Sequence, residues 1–288
     1  MKFRDYQLEI IDKSHTVLET HRFVYLSMEV RTGKTLTAMG VANKLGIKNL
    51  LFVTKKKAIS SISADYKKLN PKYDLTVINY ESLHKVEGKF DLMVLDEAHT
   101  LGAYPKPSKR TKLIKQMVTK QKPYVILMSG TPTPESFSQM YHQVYACPSS
   151  PFKHHVSFYK FAKEYVNVTQ RVIKSFPLNN YDDGKQSILD EMKPYMISYT
   201  QKEAGFKSQI KEHVLKVKMS DLTYRFVKEM REHSVIEGKK TDDAILGDTG
   251  VKKMSKIHQL FSGTVKLENG KRMVTDLSKA KFIRTEFK

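Results

Sequence analysis

One cysteine among 288 residues, Cys147, leaves no partner for an internal disulfide and no companion thiols for a zinc site of the common Cys-rich kinds. A reducing compartment is expected. No apolar run reaches the about eighteen residues that a membrane-spanning helix needs, and the start, Met1-Lys2-Phe3-Arg4-Asp5-Tyr6-Gln7, is charged where a secretory signal is apolar. No internal repeat and no low-complexity tract occurs, which excludes solenoids and fibrous folds. Acidic residues are scarce: 30 Asp and Glu face 50 Lys and Arg, a net charge of +20. That excess is larger than solubility requires, so a polyanionic partner is expected, nucleic acid first. What is present suffices for packed cores, since 40% of the chain is hydrophobic and 10% aromatic, over a length near two average domains.

From Phe23 to Thr131 one rhythm recurs: a short apolar run, a polar turn, then an amphipathic stretch of helical length. The runs are Phe23 to Leu26, Asn49 to Val53, Leu75 to Ile78, Leu92 to Leu95 and Tyr124 to Met128. Being apolar on both faces, they predict buried strands of a parallel sheet. Lys34 to Leu45, Ala58 to Leu69 and Ser108 to Val118 have helical periodicity. The expected fold is therefore an α/β domain over 1–147, a parallel sheet flanked by helices with ligands bound at the strands' carboxyl ends. After Cys147-Pro148 the rhythm stops, and 148–288 reads as a mainly helical extension, with a strand at Val214 to Met219, a helix at Asp221 to His233 and a loop near Asp242 to Gly250.

Three short segments carry chemistry. Thr32-Gly33-Lys34-Thr35 follows a predicted strand and opens a predicted helix. There, backbone N–H groups face an anion, Lys34 adds charge against terminal phosphates, and the Thr35 hydroxyl can ligate magnesium. Met28 stands where the first glycine of G-x-x-x-x-G-K-T belongs, so taken alone the segment reads equally as a helix cap. Asp96-Glu97-Ala98-His99 ends the fourth run, where Asp96 can hold magnesium and Glu97 can deprotonate an attacking water. Ser129-Gly130-Thr131-Pro132 ends the fifth run as the third element, with a simple strand-to-helix turn as the lesser reading when taken by itself.

In this order the three segments resemble the first motor domain of superfamily-two helicases and translocases, with motif I, a DEAH-type motif II and an S-G-T-P motif III. Arg4-Asp5-Tyr6-Gln7 is similar to the adenine-reading R-x-Y-Q of the Swi/Snf-like branch, Val53-Thr54-Lys55 to motif Ia, and Asn79-Tyr80-Glu81 to motif Ib. Lys193 to Thr200 resembles the Swi/Snf-like segment that follows the first motor domain, with Ser198-Tyr199 where an arginine pair is usual. The compact loops are more similar to phage or bacterial members, which would place the protein in a cytoplasm, the host's if phage-encoded. The resemblance implies a RecA-like P-loop NTPase using ATP and Mg2+. In it Arg4 and Gln7 read adenine, and Thr32, Gly33, Lys34 and Thr35 hold the phosphates. Thr35 and Asp96 position the metal, with Lys34, Asp96 and Glu97 as the catalytic set. His99, Ser129, Gly130 and Thr131 would couple the nucleotide to the nucleic acid, which Thr54, Lys55, Lys56, Lys57, Asn79 and Tyr80 would contact. It further implies a second RecA-like domain carrying an arginine finger in Q-x-x-G-R-x-x-R. No such segment occurs here, so that lobe is expected in cis or in trans. DNA is the favoured substrate; an RNA helicase and a non-hydrolysing adaptor or loader are the alternatives.

Two clusters remain. Lys106, Lys109, Arg110, Lys112, Lys115, Lys120 and Lys122 lie between Thr100 and Pro123 with no acid among them, as a phosphate-neutralising patch near the strand ends or a solvated helix face. The aromatics from Phe152 to Tyr165 fit either a core or a base-stacking surface. His99 has no His or Cys at ligand spacing, which argues against a zinc site there.

Overall fold

The structure, a computed structural model, describes residues 2–173, 176–206, 212–238, 244–248 and 250–287. It divides into two compact units, Met1–Ser208 and Gln209–Lys288.

The first unit is built on strands β1 (Phe23–Met28), β2 (Asn49–Thr54), β3 (Asp74–Asn79), β4 (Leu92–Asp96) and β5 (Tyr124–Met128). Helices α1 (Asp5–His21), α2 (Lys34–Leu45), α3 (Ile59–Leu69), α4 (Lys109–Gln121), α5 (Met140–Val144), α6 (Phe158–Tyr165) and α7 (Ser187–Met192) surround it. A hairpin, β6 (Thr169–Ile173) with β7 (Phe176–Asn180), follows α6, and β8 (Met196–Tyr199) follows α7. The main sheet has the order β3-β2-β4-β5-β1-β8, and every pair in it is parallel.

Period-two alternation sends successive strand residues to opposite faces. Phe23, Tyr25, Leu51, Val53, Met93, Leu95, Val125 and Leu127 join one core, which α4 to α7 cover. Val24, Leu26, Leu50, Phe52, Leu92, Val94, Ile126 and Met128 join the other, covered by α1, α2 and α3. Both faces are dry, which is why the runs are apolar throughout. The five expected strands and the three expected helices stand where the periodicity put them.

The first unit goes beyond the sequence reading at two elements that position the site, α1 and β8. Helix α1 was not anticipated; its apolar face, Ile10, Ile11 and Leu18, is interrupted by Ser14, whose hydroxyl returns to the Ile10 carbonyl at 2.6 Å. It packs close to α2 because Gly40 has no side chain: a Cβ there would stand 2.4 Å from Ile11 Cδ1. Strand β8 adds a sixth member beside β1, pairing Tyr25 to Met28 with Met196 to Tyr199. The first unit thus runs well past the change of rhythm at 147, because Phe152, Phe158, Phe161 and Tyr165 are buried in the sheet's own core, as are Ile188 and Met192. Of the two readings of that aromatic cluster, core is the one realised; Tyr159 alone of its aromatics is exposed.

The second unit holds α8 (Asp221–His233), β9 (Val235–Ile236) with β10 (Ile245–Leu246), α9 (Gly250–Phe261), β11 (Thr264–Lys266) with β12 (Arg272–Val274), and α10 (Ser278–Glu286). Its core is Val227, Met230, Ile236, Ile245, Ile257, Leu260, Val265 and Leu267. The helix expected at Asp221 to His233 has those limits. The strand expected at Val214 to Met219 does not form: that stretch has no ladder partner among the described residues, and Val214 is 75% exposed. The loop expected near Asp242 to Gly250 contains β10, and 242, 243 and 249 fall outside the described residues. No helix among the described residues is long and apolar enough to cross a membrane.

Candidate functional site

The segments singled out in the sequence leave the carboxyl ends of β1, β4 and β5, three neighbouring strands. After β1 the chain must reverse sharply into α2. Arg31 at φ 66° and Gly33 at φ 82° make the turn, and Gly33 caps α2 in the left-handed region that glycine tolerates best. The Thr32 hydroxyl donates to the Glu29 carbonyl at 2.6 Å and fixes the loop from inside. Lys34 Nζ turns back into the loop and donates to the carbonyls of Met28 at 2.7 Å and Glu29 at 3.1 Å. Met28 therefore serves the loop through its backbone, while its side chain is buried among the β1 face residues. Burial pulls the Lys34 ammonium below its ordinary range, and the carboxylates of Asp96, Glu97 and Glu29 act in the opposite direction. Thr35 is half-buried in the first turn of α2.

Asp96 closes β4. Its Oδ2 accepts the Thr54 hydroxyl at 2.7 Å, and its carbonyl accepts the Tyr80 hydroxyl at 2.6 Å. Burial raises its carboxyl above the usual range, against the lowering effect of the Thr54 bond. Glu97 takes the left-handed conformation, φ 51° and ψ 44°, which turns it away from the strand. Its two oxygens meet Lys55 Nζ at 3.1 Å and His99 Nδ1 at 3.4 Å. His99 Nδ1 also lies 2.9 Å from the Ser129 hydroxyl, and Ser129 Oγ accepts the Thr131 N–H at 3.1 Å. A polar chain thus joins Glu97, His99, Ser129 and Thr131 across the ends of β4 and β5. Gly130 runs beside the loop between β1 and α2: a Cβ on it would lie 3.7 Å from Lys34 Nζ.

Arg4 and Gln7 approach from α1. The Arg4 N–H donates to Gln7 Oε1 at 3.0 Å as part of the helix cap, and Gln7 Nε2 donates to the Gly33 carbonyl at 3.4 Å. A Cβ on Gly33 would meet that amide nitrogen at 2.4 Å, so Gln7 is seated against the loop itself.

The profile of the SNF2-related domain matches residues 29–273. The chain belongs to the SNF2-related domain family. Among solved structures it is similar to the Sulfolobus solfataricus SWI2/SNF2 ATPase core in complex with dsDNA, at TM-score 0.56 and 14% identity, over 90% of this chain and 58% of that one. It is likewise similar to the Sulfolobus solfataricus SWI2/SNF2 ATPase core domain, at TM-score 0.54 and 14% identity, over 90% and 57%. The likeness is one of fold, the RecA-like parallel sheet flanked by helices, and this chain spans under two thirds of either length. No curated protein sequence matches. The SNF2-related match begins at Glu29, so Arg4 and Gln7 lie before it.

Not every expected nucleic-acid residue is at an open surface of this SNF2-related unit. Lys55, Lys56 and Lys57 are exposed, Lys55 being the one paired with Glu97. Thr54 and Tyr80 are buried and turned to Asp96, and Asn79 caps the next turn by accepting the Ser82 N–H at 2.8 Å. The basic cluster of 106–122 does not form one patch at the strand ends, because α4 runs the length of the sheet. Arg110 reaches Glu81 at 3.5 Å near the site, whereas the Lys122 carbonyl accepts Arg22 Nη2 at 2.7 Å beside the start of β1.

Four further residues brace the loop: Glu29 and Gln201, which sequence reasoning missed, and Tyr6 and Tyr199, which it quoted within motifs without giving them this role. Glu29 Oε2 accepts the Gln201 N–H at 2.8 Å, and Gln201 Nε2 donates to the Val30 carbonyl at 2.9 Å. Tyr199 stacks on Tyr6 at 4.6 Å between centroids, and the Tyr6 hydroxyl donates to the Thr32 carbonyl at 3.0 Å. The sequence signals were the resemblances of Arg4 to Gln7, which contains Tyr6, and of Lys193 to Thr200, which contains Tyr199 and ends one residue short of Gln201.

Proposed function

We propose that the chain is the ATP-binding lobe of a DNA-dependent ATPase of the DEAH-box, Swi/Snf-like translocase type. The observation that carries this is the half-buried Lys34 ammonium, held between the loop carbonyls and facing the charges of Asp96 and Glu97. A cation kept in a glycine-turned loop at a helix start, with an acidic pair at the neighbouring strand end, suits a nucleotide's phosphates. The residues fit magnesium as well, since the Asp96 carboxylate is pre-oriented by Thr54 and the Thr35 hydroxyl opens α2. Magnesium held by Thr35 and Asp96 would neutralise phosphate charge.

In this reading Gln7 lies at the adenine side and Lys34 binds the terminal phosphates. Glu97 orients a water for in-line attack on the γ-phosphorus and takes its proton as the bond to the bridging oxygen breaks. His99, Ser129 and Thr131 connect that carboxylate to the end of β5. Lys55 reaches both ways, paired with Glu97 and exposed beside Lys56 and Lys57 for phosphate backbone. The remaining catalytic cation is assigned to a second RecA-like lobe.

The test is an equilibrium titration of ATP with Mg2+ into the wild type, Lys34→Ala and Glu97→Gln. Lys34→Ala is expected to bind at least about tenfold more weakly, about 1.4 kcal/mol. Glu97→Gln keeps its affinity. Unchanged binding in Lys34→Ala would remove the phosphate-loop assignment.

A further inference from the structure

Outside the nucleotide site, the segment before α6 brings together three side chains of metal-ligating type. His154, His155 and Glu164 each offer one donor atom, and these atoms lie within 4.8 Å of one another. The histidines belong to the loop that enters α6, and Glu164 to the last turn of that helix, so two segments are joined.

His155 is the informative member. It is 8% exposed, and its Nε2 has no hydrogen-bond partner although Glu164 Oε2 stands 3.3 Å away. A buried ring nitrogen without a partner is costly unless something at the site satisfies it. The ring is held in place edge-on to Phe161 at 6.1 Å and to Tyr165 at 5.6 Å, and the His155 carbonyl accepts the Tyr141 hydroxyl at 2.6 Å. The His154 ring lies 3.9 Å from it.

We propose that His154, His155 and Glu164 form a divalent transition-metal site of the zinc class, which fastens the loop before α6 to the end of that helix. Two imidazoles and a carboxylate are a donor set for zinc, cobalt or nickel rather than for calcium or magnesium, which prefer oxygen. Bonds of about 2.0 to 2.1 Å in a tetrahedron need donors about 3.3 Å apart. His154 and Glu164 are exposed, whereas His155 is buried and sets the position. Water completes the coordination. The site shares no residue with the nucleotide site, so it stands or falls independently of the function proposed above.

The test uses the untagged full chain after chelator treatment, titrated with ZnCl2 by calorimetry and with Co2+ by visible absorption. Expected are one zinc per chain, cobalt bands of a four- or five-coordinate site, and a melting temperature that rises with zinc. Because His155→Ala opens a buried position and can unfold the loop, the exposed variants His154→Ala and Glu164→Gln decide. Each is expected to keep its circular dichroism, weaken zinc about tenfold or more, and lose the cobalt bands. No zinc uptake by the wild type, or uptake unchanged in both exposed variants, overturns the proposal.

Discussion

Two residues expected at a nucleic-acid surface instead hold the acidic motif. The Thr54 hydroxyl orients the Asp96 carboxylate and the Tyr80 hydroxyl anchors its carbonyl, at 2.7 and 2.6 Å. Thr54→Val keeps the shape and removes the bond, which leaves a buried carboxylate less charged and less fixed. Magnesium-dependent ATP affinity is expected to fall about tenfold, while metal-free nucleotide binding and thermal stability change little. An unchanged magnesium dependence would mean that Asp96 does not position the metal. Gly33, Lys34, Asp96 and Glu97 stand out in the sequence as candidates, because the phosphate chemistry proposed for them demands specific types at short spacing. Gln201 and Glu29 do not, since a lone polar pair separated by 172 residues has no local pattern.

At the scale of elements, burial decided what could be read. Strands β1, β2, β4 and β5 are apolar on both faces and announce themselves. Strand β8 is partly exposed and acquires its identity only by pairing with β1, while Val214 to Met219 alternates like a strand yet pairs with no strand among the described residues. In the second unit a corner next to α8 depends on two residues. Gly263, at φ 83°, would carry a Cβ only 2.1 Å from the Asp276 carbonyl oxygen. Gly263→Ala combines strain with a backbone clash and is expected to cost about 2 kcal/mol or more, read as lost hydrogen-exchange protection in α8 and α9. The Asp276 carboxylate accepts the N–H groups of Ser220 at 2.7 Å and Ser278 at 2.8 Å, and the Thr223 hydroxyl at 2.8 Å. These bonds, those to Ser278 foremost, hold it well below the usual carboxylate range. A depressed folded value stabilises above the unfolded value of about 3.9, and that stability fades as pH falls below it. Asp276→Asn is therefore expected to unfold more easily than wild type at pH 7, with the gap closing on acidification in parallel denaturation series. A gap independent of pH would assign the loss to packing.

The whole molecule carries a charge of +20, which no single element accounts for. Affinity for duplex DNA is expected to fall steeply with salt and to depend little on sequence, because released counterions drive it. Replacing Lys55, Lys56 and Lys57 with alanine together should lower the salt slope by up to about three. A slope left unchanged would move the nucleic-acid contact to another face, with α4 the next candidate. The central claim is that ATP chemistry at the strand ends answers to nucleic acid on the same lobe. Its most direct measurement is steady-state phosphate release by this chain, alone and joined to a second RecA-like lobe, with duplex DNA, single-stranded DNA, RNA or none, Glu97→Gln giving the background. The account predicts scarcely any turnover by the chain alone, and duplex-stimulated release with the second lobe that Glu97→Gln abolishes. Release that ignores nucleic acid, or that persists in Glu97→Gln, would contradict it.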